Sequence, residues 1–148
     1  MKTETLIENN LQVVTFRVGN EDYGIHIMRV QEIIRVIDAV KVPKSPSYVD
    51  GVVNLRGKIV PIIDLRKRMG KSVTSITEAS RIIIVDAGGR LAGLVVDVVI
   101  DVIMLNSEYI EPCPSIDSSK RSDYITGVGK QDERLITVLN LDNLLKLP

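Results

Sequence analysis

In 148 residues the sequence holds no tryptophan, one phenylalanine, one histidine and one cysteine, and each scarcity closes off a class of function. A single thiol, Cys113, cannot form an internal disulfide, and one His with one Cys cannot build a structural zinc site. Nineteen basic residues balance nineteen acidic ones, so there is no positive field to gather phosphates. Phe16 and four scattered tyrosines are also too few to stack single-stranded bases, and no nucleic-acid partner is expected. The longest apolar stretch, residues 91–105, is 15 residues long and is interrupted by Asp97 and Asp101, short of a membrane span. Residues 1–10 carry two Glu and neither a signal-peptide core nor a cleavage pattern. A flexible N-terminal segment, a cytoplasmic location and no membrane insertion are the expectation.

What is abundant is branched aliphatic: 20 Val and 19 Ile, strand-forming residues that pack well on a pleated surface. Residues 11–27 read as a hairpin turning at Gly19 to Asp22, with Tyr23, Ile25 and Ile27 on one face. One helical turn running into a strand near Glu32 is expected next, followed by a loop at Pro43 and Pro46. Residues 47–65, SYVDGVVNLRGKIVPIIDL, form two strands that reverse at Leu55, Arg56, Gly57 and Lys58, placing one cation at a tight turn. Pro61 cannot donate a ladder hydrogen bond, which predicts an edge strand or a bulge. The polar interval 66–80 is the expected boundary between two halves of a domain covering residues 11–148. In the long run at 91–105, Ala92, Leu94, Val96, Val98, Ile100, Val102 and Met104 alternate as one apolar face. Such a run exceeds the usual ~3–10 residues of a strand and predicts a bend or bulge, with passage from one sheet to another. Two last strands meet around residues 130–133 and a short helix ends the chain. About ten short strands joined by hairpins, with little helix, give an all-β fold of sandwich or barrel type.

A search for catalytic constellations yields no supported set. His26 lies on a predicted strand without a motif partner, and nothing supports a dyad with Cys113. Asp97 and Asp101 share a strand face but stand roughly 13 Å apart along it, too far to hold one cation, so solvation or pairing with Arg or Lys is expected. Gly70, Lys71 and Ser72 copy the end of a phosphate loop, yet the residue five before Gly70 is Leu65 and no apolar helix follows. No catalytic residue, metal or cofactor is expected.

Gly51, Val52, Asn54, Leu55, Arg56, Gly57, Ile59, Pro61, Ile62, Asp64 and Leu65 resemble the signature of the CheW family of bacterial chemotaxis coupling proteins. VQEII at 30–34, GLVVDVV at 93–99, YITGVG at 124–129 and the closing ITVLNLDNLL resemble the same family in order and spacing, across about residues 11–147. The resemblance implies two five-stranded SH3-like barrels in tandem with short helical segments. It also implies a stand-alone, non-catalytic adaptor between the regulatory domain of the histidine kinase CheA and the cytoplasmic tip of methyl-accepting chemotaxis receptors. Carried over by motif position, the receptor-binding residues are Val30, Glu32, Arg56 and Val102. Candidates for the kinase surface are Val49, Gly51, Leu55 and Ile116. The alternatives are a CheW-like module serving another histidine kinase pathway or, from a different class, a small β-barrel enzyme or nucleic-acid binder.

Overall fold

A computed structural model describes residues 10–72, 75–106, 108, 110–111 and 124–145. Cys113, Ile116, the loop at Pro112 and Pro114, and nearly all of the 1–10 segment lie outside these described residues.

Among the described residues, ten strands and a few single helical turns account for the regular structure. The first hairpin is β1 (Asn10–Val18) and β2 (Glu21–His26); a 3-10 turn at Ile27–Arg29 leads into β3 (Val30–Arg35). The second hairpin, β4 (Val49–Leu55) and β5 (Lys58–Asp64), runs directly into the one-turn helix α1 (Leu65–Arg68). There follow β6 (Arg81–Asp86), β7 (Leu91–Val96), β8 (Val98–Asn106), β9 (Ile125–Gln131), β10 (Arg134–Leu139) and the one-turn helix α2 (Leu141–Leu144).

The strands form two five-stranded sheets. One, the continuous sheet, takes its strands from a single stretch of chain in the order β3-β6-β7-β5-β4; the other, the split sheet, is ordered β8-β1-β2-β10-β9. The expected boundary at 66–80 therefore connects two strands of one sheet. The chain changes sheets between β2 and β3 and again between β7 and β8, because each edge strand continues from a hairpin of the other sheet.

Three apolar clusters follow from this layout. A shared core lies between the sheets and includes Phe16 and Ile25 from the split sheet with Ile83, Val85 and Leu94 from the continuous one. On its far face the continuous sheet buries Val53, Val60, Ile62, Ile82, Ile84 and Val95, and the split sheet buries Val13, Ile103, Leu105, Ile136 and Val138. Ile82 and Ile84 thus face one core while Ile83 and Val85 face the other, which is why β6 reads as an unbroken apolar run rather than an alternation.

Pro61 departs from expectation: β5 is an interior strand between β7 and β4. It is tolerated because its partner Val52 spends both backbone groups on Val40, each bond 2.9 Å, making Val52 and Pro61 a non-hydrogen-bonded pair. The parallel ladder to β7 also begins one residue later, at Ile62. The expected face from Ala92 to Met104 is not continuous either. A bend at Asp97 carries the chain into the split sheet, and a register shift opposite Thr15 and Phe16 reverses the alternation. Ala92, Leu94 and Val96 are buried, whereas Ile100, Val102 and Met104 face outward while Ile103 and Leu105 turn inward.

Candidate functional site

The reversal between β4 and β5 uses two consecutive left-handed residues, Arg56 at φ 51° and Gly57 at φ 83°, the pattern of a type I′ hairpin. The Asn54 side-chain oxygen accepts from the Gly57 N–H at 2.9 Å and locks the turn. A left-handed backbone is uncommon for a residue with a side chain, and it holds Arg56 out at the tip with its side chain 73% exposed.

From that tip Arg56 reaches Glu32 on β3, the opposite edge strand of the same sheet. Nη2 donates to Oε1 at 3.0 Å and Nη1 donates to Oε2, a two-pronged guanidinium–carboxylate pair. The hydrogen bonds from Arg56 hold the Glu32 carboxyl below its ordinary range, and the same pair raises Arg56 above its own. The cation expected to point at a partner is thus already oriented by a neighbour.

Val30 opens β3, half-buried against the shared core. Val102 lies in the other sheet, 48% exposed on β8, and is in register with Val14, a member of that same core. Val30, Glu32 and Arg56 are therefore gathered on the continuous sheet, and Val102 stands on the split sheet, paired with Val14 of the core that Val30 borders. Ile100 and Met104 extend the outward apolar face of β8. Met28, on the turn just before Val30, is 79% exposed and was not singled out in the sequence, where a lone Met carries no periodic signal.

The kinase-surface candidates are placed differently. Val49 is half-buried against the shared core, and Leu55 against the core of the continuous sheet. Gly51 is buried with φ 144°, and a β-carbon there would come within 2.2 Å of the Val40 carbonyl oxygen. Its size lets residue 40 pair with β4. The accessible surface beside these positions is the outer face of the hairpin: Val40, Val52 and Pro61 form one rung, Asn54 and Ile59 the next. Val40 is 72% and Ile59 67% exposed. Sequence reasoning missed both; the alternation of Ile59 and Pro61 against Val60 and Ile62 was the available signal.

The groups weighed for chemistry serve the scaffold. His26 Nδ1 accepts from the Met28 N–H at 3.1 Å and caps the 3-10 turn. Asp97 accepts from the Gly19 N–H at 2.8 Å and stands 3.8 Å from Arg66, while Asp101 pairs with Arg134 at 3.2 Å. Lys71 pairs with Glu21. Among the described residues, no group of His, Cys, Asp and Glu could hold a metal ion, and no helix is long and apolar enough to cross a membrane.

Comparison with known proteins identifies the family. The family described as CheW-like domain matches residues 12–148. The chemotaxis protein CheW of Klebsiella aerogenes is 39% identical over 134 residues, 90% of this chain and 81% of that protein. The Helicobacter pylori chemotaxis protein CheW is 34% identical over 94% of this chain and 84% of its own. Among solved structures, the scaffolding protein TtCheW from Thermoanaerobacter tengcongensis superposes with a TM-score of 0.85 at 36% identity, covering 93% of both chains. This chain belongs to the CheW-like domain family.

Proposed function

We propose that this protein is a non-catalytic chemotaxis adaptor in the cytoplasm. It couples the cytoplasmic tip of methyl-accepting chemotaxis receptors to the regulatory domain of the histidine kinase CheA, and so controls kinase autophosphorylation in signalling arrays. Family membership supplies the class of function. The observation that supports the reading is that one all-β frame exposes two separate groups of aliphatic side chains, Ile100, Val102 and Met104 on β8 and Val40 and Ile59 on the outer face of the β4–β5 hairpin.

The receptor surface is the seam bordered by Val30 and the Glu32–Arg56 pair on one sheet and by Val102 on the other. A helical hairpin laid there meets aliphatic walls and a planar cation whose fork orients it on a carboxylate or carbonyl. The kinase surface is the outer face of β4 and β5, where Val40 and Ile59 make contact while Val49, Gly51 and Leu55 hold the strand beneath them. Stiff pleated walls keep the two surfaces at a fixed separation, which suits a protein that touches two partners at once.

Mixing the purified chain with the CheA regulatory domain and a receptor-tip fragment should give a ternary complex on size-exclusion chromatography. Arg56→Glu should weaken receptor binding by about tenfold or more and leave kinase binding intact; Ile59→Glu should do the reverse. A folded Arg56→Glu protein with native receptor affinity removes the receptor assignment, and absence of any ternary complex overturns the adaptor reading.

A further inference from the structure

Two tyrosines occupy matching places in the two sheets. Tyr48 precedes the β4–β5 hairpin and Tyr124 precedes the β9–β10 hairpin. The Tyr48 carbonyl accepts from the Asp64 N–H at 2.8 Å, and the Tyr124 carbonyl accepts from the Asn140 N–H at 2.7 Å. Asp64 and Asn140 in turn cap α1 and α2 with their side chains. The match extends to the helical turns themselves, so that Leu144 on α2 is the counterpart of Arg68 on α1.

At this one pair of positions the correspondence is broken in an informative way. Leu144 is buried in the shared core. Arg68 instead carries its guanidinium over both tyrosines, 5.1 Å from the Tyr48 ring centroid and 5.0 Å from that of Tyr124. Its Nε donates to the Leu144 carbonyl at 3.1 Å, one of the carbonyls that the end of a helical turn leaves without a helical partner. One side chain of the continuous sheet therefore grips a tyrosine from each sheet and the last turn of the split sheet. A planar guanidinium lays its face on the rings while donating from its edge; Leu can do neither, and Lys brings a point charge with no planar face.

We infer that Arg68 is a positioning residue that sets the disposition of the two sheets and, through it, how Val30 and Glu32 on one sheet stand relative to Val102 on the other. The second half of this inference rests on the receptor reading above; the first does not. Kinase binding uses the outer face of the continuous sheet alone and should be insensitive to the clamp, so receptor and kinase affinities separate a positioning role from general loss of structure.

The test replaces Arg68 by Leu, its counterpart in the other sheet, in the full chain. Spin labels at Lys58→Cys and Lys130→Cys, both exposed and one in each sheet, with Cys113→Ser, report the inter-sheet distance by pulsed dipolar spectroscopy. The expected result is a shifted or broadened distance distribution, receptor-fragment affinity reduced at least about fivefold, and kinase-domain affinity unchanged within about twofold. Arg68→Lys, which keeps the charge but not the planar donor, should give the same changes at smaller amplitude, and it carries the test should the leucine variant not fold. An unchanged distance distribution overturns the inference, as does an equal loss of both affinities. If the unsubstituted protein binds no receptor fragment, the adaptor reading fails while the distance measurement still decides the clamp.

Discussion

The two sheets are one design executed twice. Edge strands β3 and β8 each pair antiparallel with the first strand of a hairpin through a register shift. The hairpin's second strand makes the sheet's one parallel pairing, with β5 or β10, and β4 or β9 closes the order. The chain leaving each edge strand then bridges the opposite edge, Val40 to Val52 and Glu111 to Val128. Side chains distinguish the copies most sharply. The rung Val40, Val52 and Pro61 with Ile59 beside it is aliphatic, whereas its counterpart is Glu111, Val128 and Thr137, flanked by Lys130 and Leu135. Each edge strand carries an acid near an Arg at a hairpin, but Glu32 and Arg56 form a simple pair at an exposed tip. Asp101 and Arg134 are instead woven into Thr15, Asp22 and Arg17. An exposed pair adds little stability, so Glu32 and Arg56 are better understood as presenting a guanidinium. The same frame thus carries an aliphatic outer rung in the continuous sheet and a more polar one in the split sheet.

The largest expected difference between the copies lies at their helix caps. Asp64 accepts from the Arg66 backbone N–H and from its guanidinium at 2.9–3.0 Å, with both side chains almost fully buried. That hydrogen bonding raises the Arg66 pKa further. Asp64→Ala removes the cap and both of its hydrogen bonds to a buried guanidinium and should cost about 3–5 kcal/mol. Asn140→Ala removes only a cap to the Asn143 N–H and should cost about 1 kcal/mol. Urea denaturation of both variants measures the gap; equal losses would mean that the buried pair is energetically idle.

A smaller difference is expected at the matching glycines. A β-carbon at Gly51 would meet the Val40 carbonyl oxygen at 2.2 Å and would also sit at φ 144°, whereas one at Gly127 would meet the Glu111 carbonyl oxygen at 2.5 Å without the unusual φ. Gly51→Ala should destabilise by about 2–4 kcal/mol and Gly127→Ala by about 1–3 kcal/mol. Thermal melts of the two variants rank them, and a reversed order breaks the assignment of extra strain to Gly51.

Much of this was legible in sequence because alternation and turn chemistry are local. The hairpin tip at Arg56 and Gly57, the helical turn before β3, the break in the 91–105 run and the closing strands are all set by neighbours. Pro61 misled because its tolerance depends on Val40, a residue far along the chain that takes up the hydrogen bonds of Val52. The passage between sheets in the 91–105 run was legible from its length, but the exchange between β2 and β3 was not, and residues 66–80 look like a boundary by composition while pairing joins β5 and β6 into one sheet. At the candidate site, Arg56 and Glu32 came from motif position, but their mutual pairing came only from the fold. Val40, and the surface position of Ile59, were not anticipated because a single exposed aliphatic is ordinary until its rung neighbours are known.

The finest distinction between the copies is electrostatic. Arg56 holds the Glu32 carboxyl below the usual carboxylate range, and a depressed acid contributes its stabilisation in full above the unfolded-state pKa and loses it as pH falls through the folded-state value. Stability and receptor binding that depend on this pair should therefore be flat from neutral pH down to the ordinary carboxylate range and decline only below it. Carbon-detected NMR titration of the Glu32 side chain should show a midpoint that rises toward the ordinary value in Arg56→Ala, because no second cation is bonded to it among the described residues. In the split sheet Arg134→Ala leaves Asp22 still held by Arg17 at 2.9 Å, so the network keeps one of its charge pairs when an arginine is lost. A Glu32 midpoint unmoved by Arg56→Ala would show that the contact does not persist in solution, and with it would go the contrast between a simple displayed pair and an interlocked one.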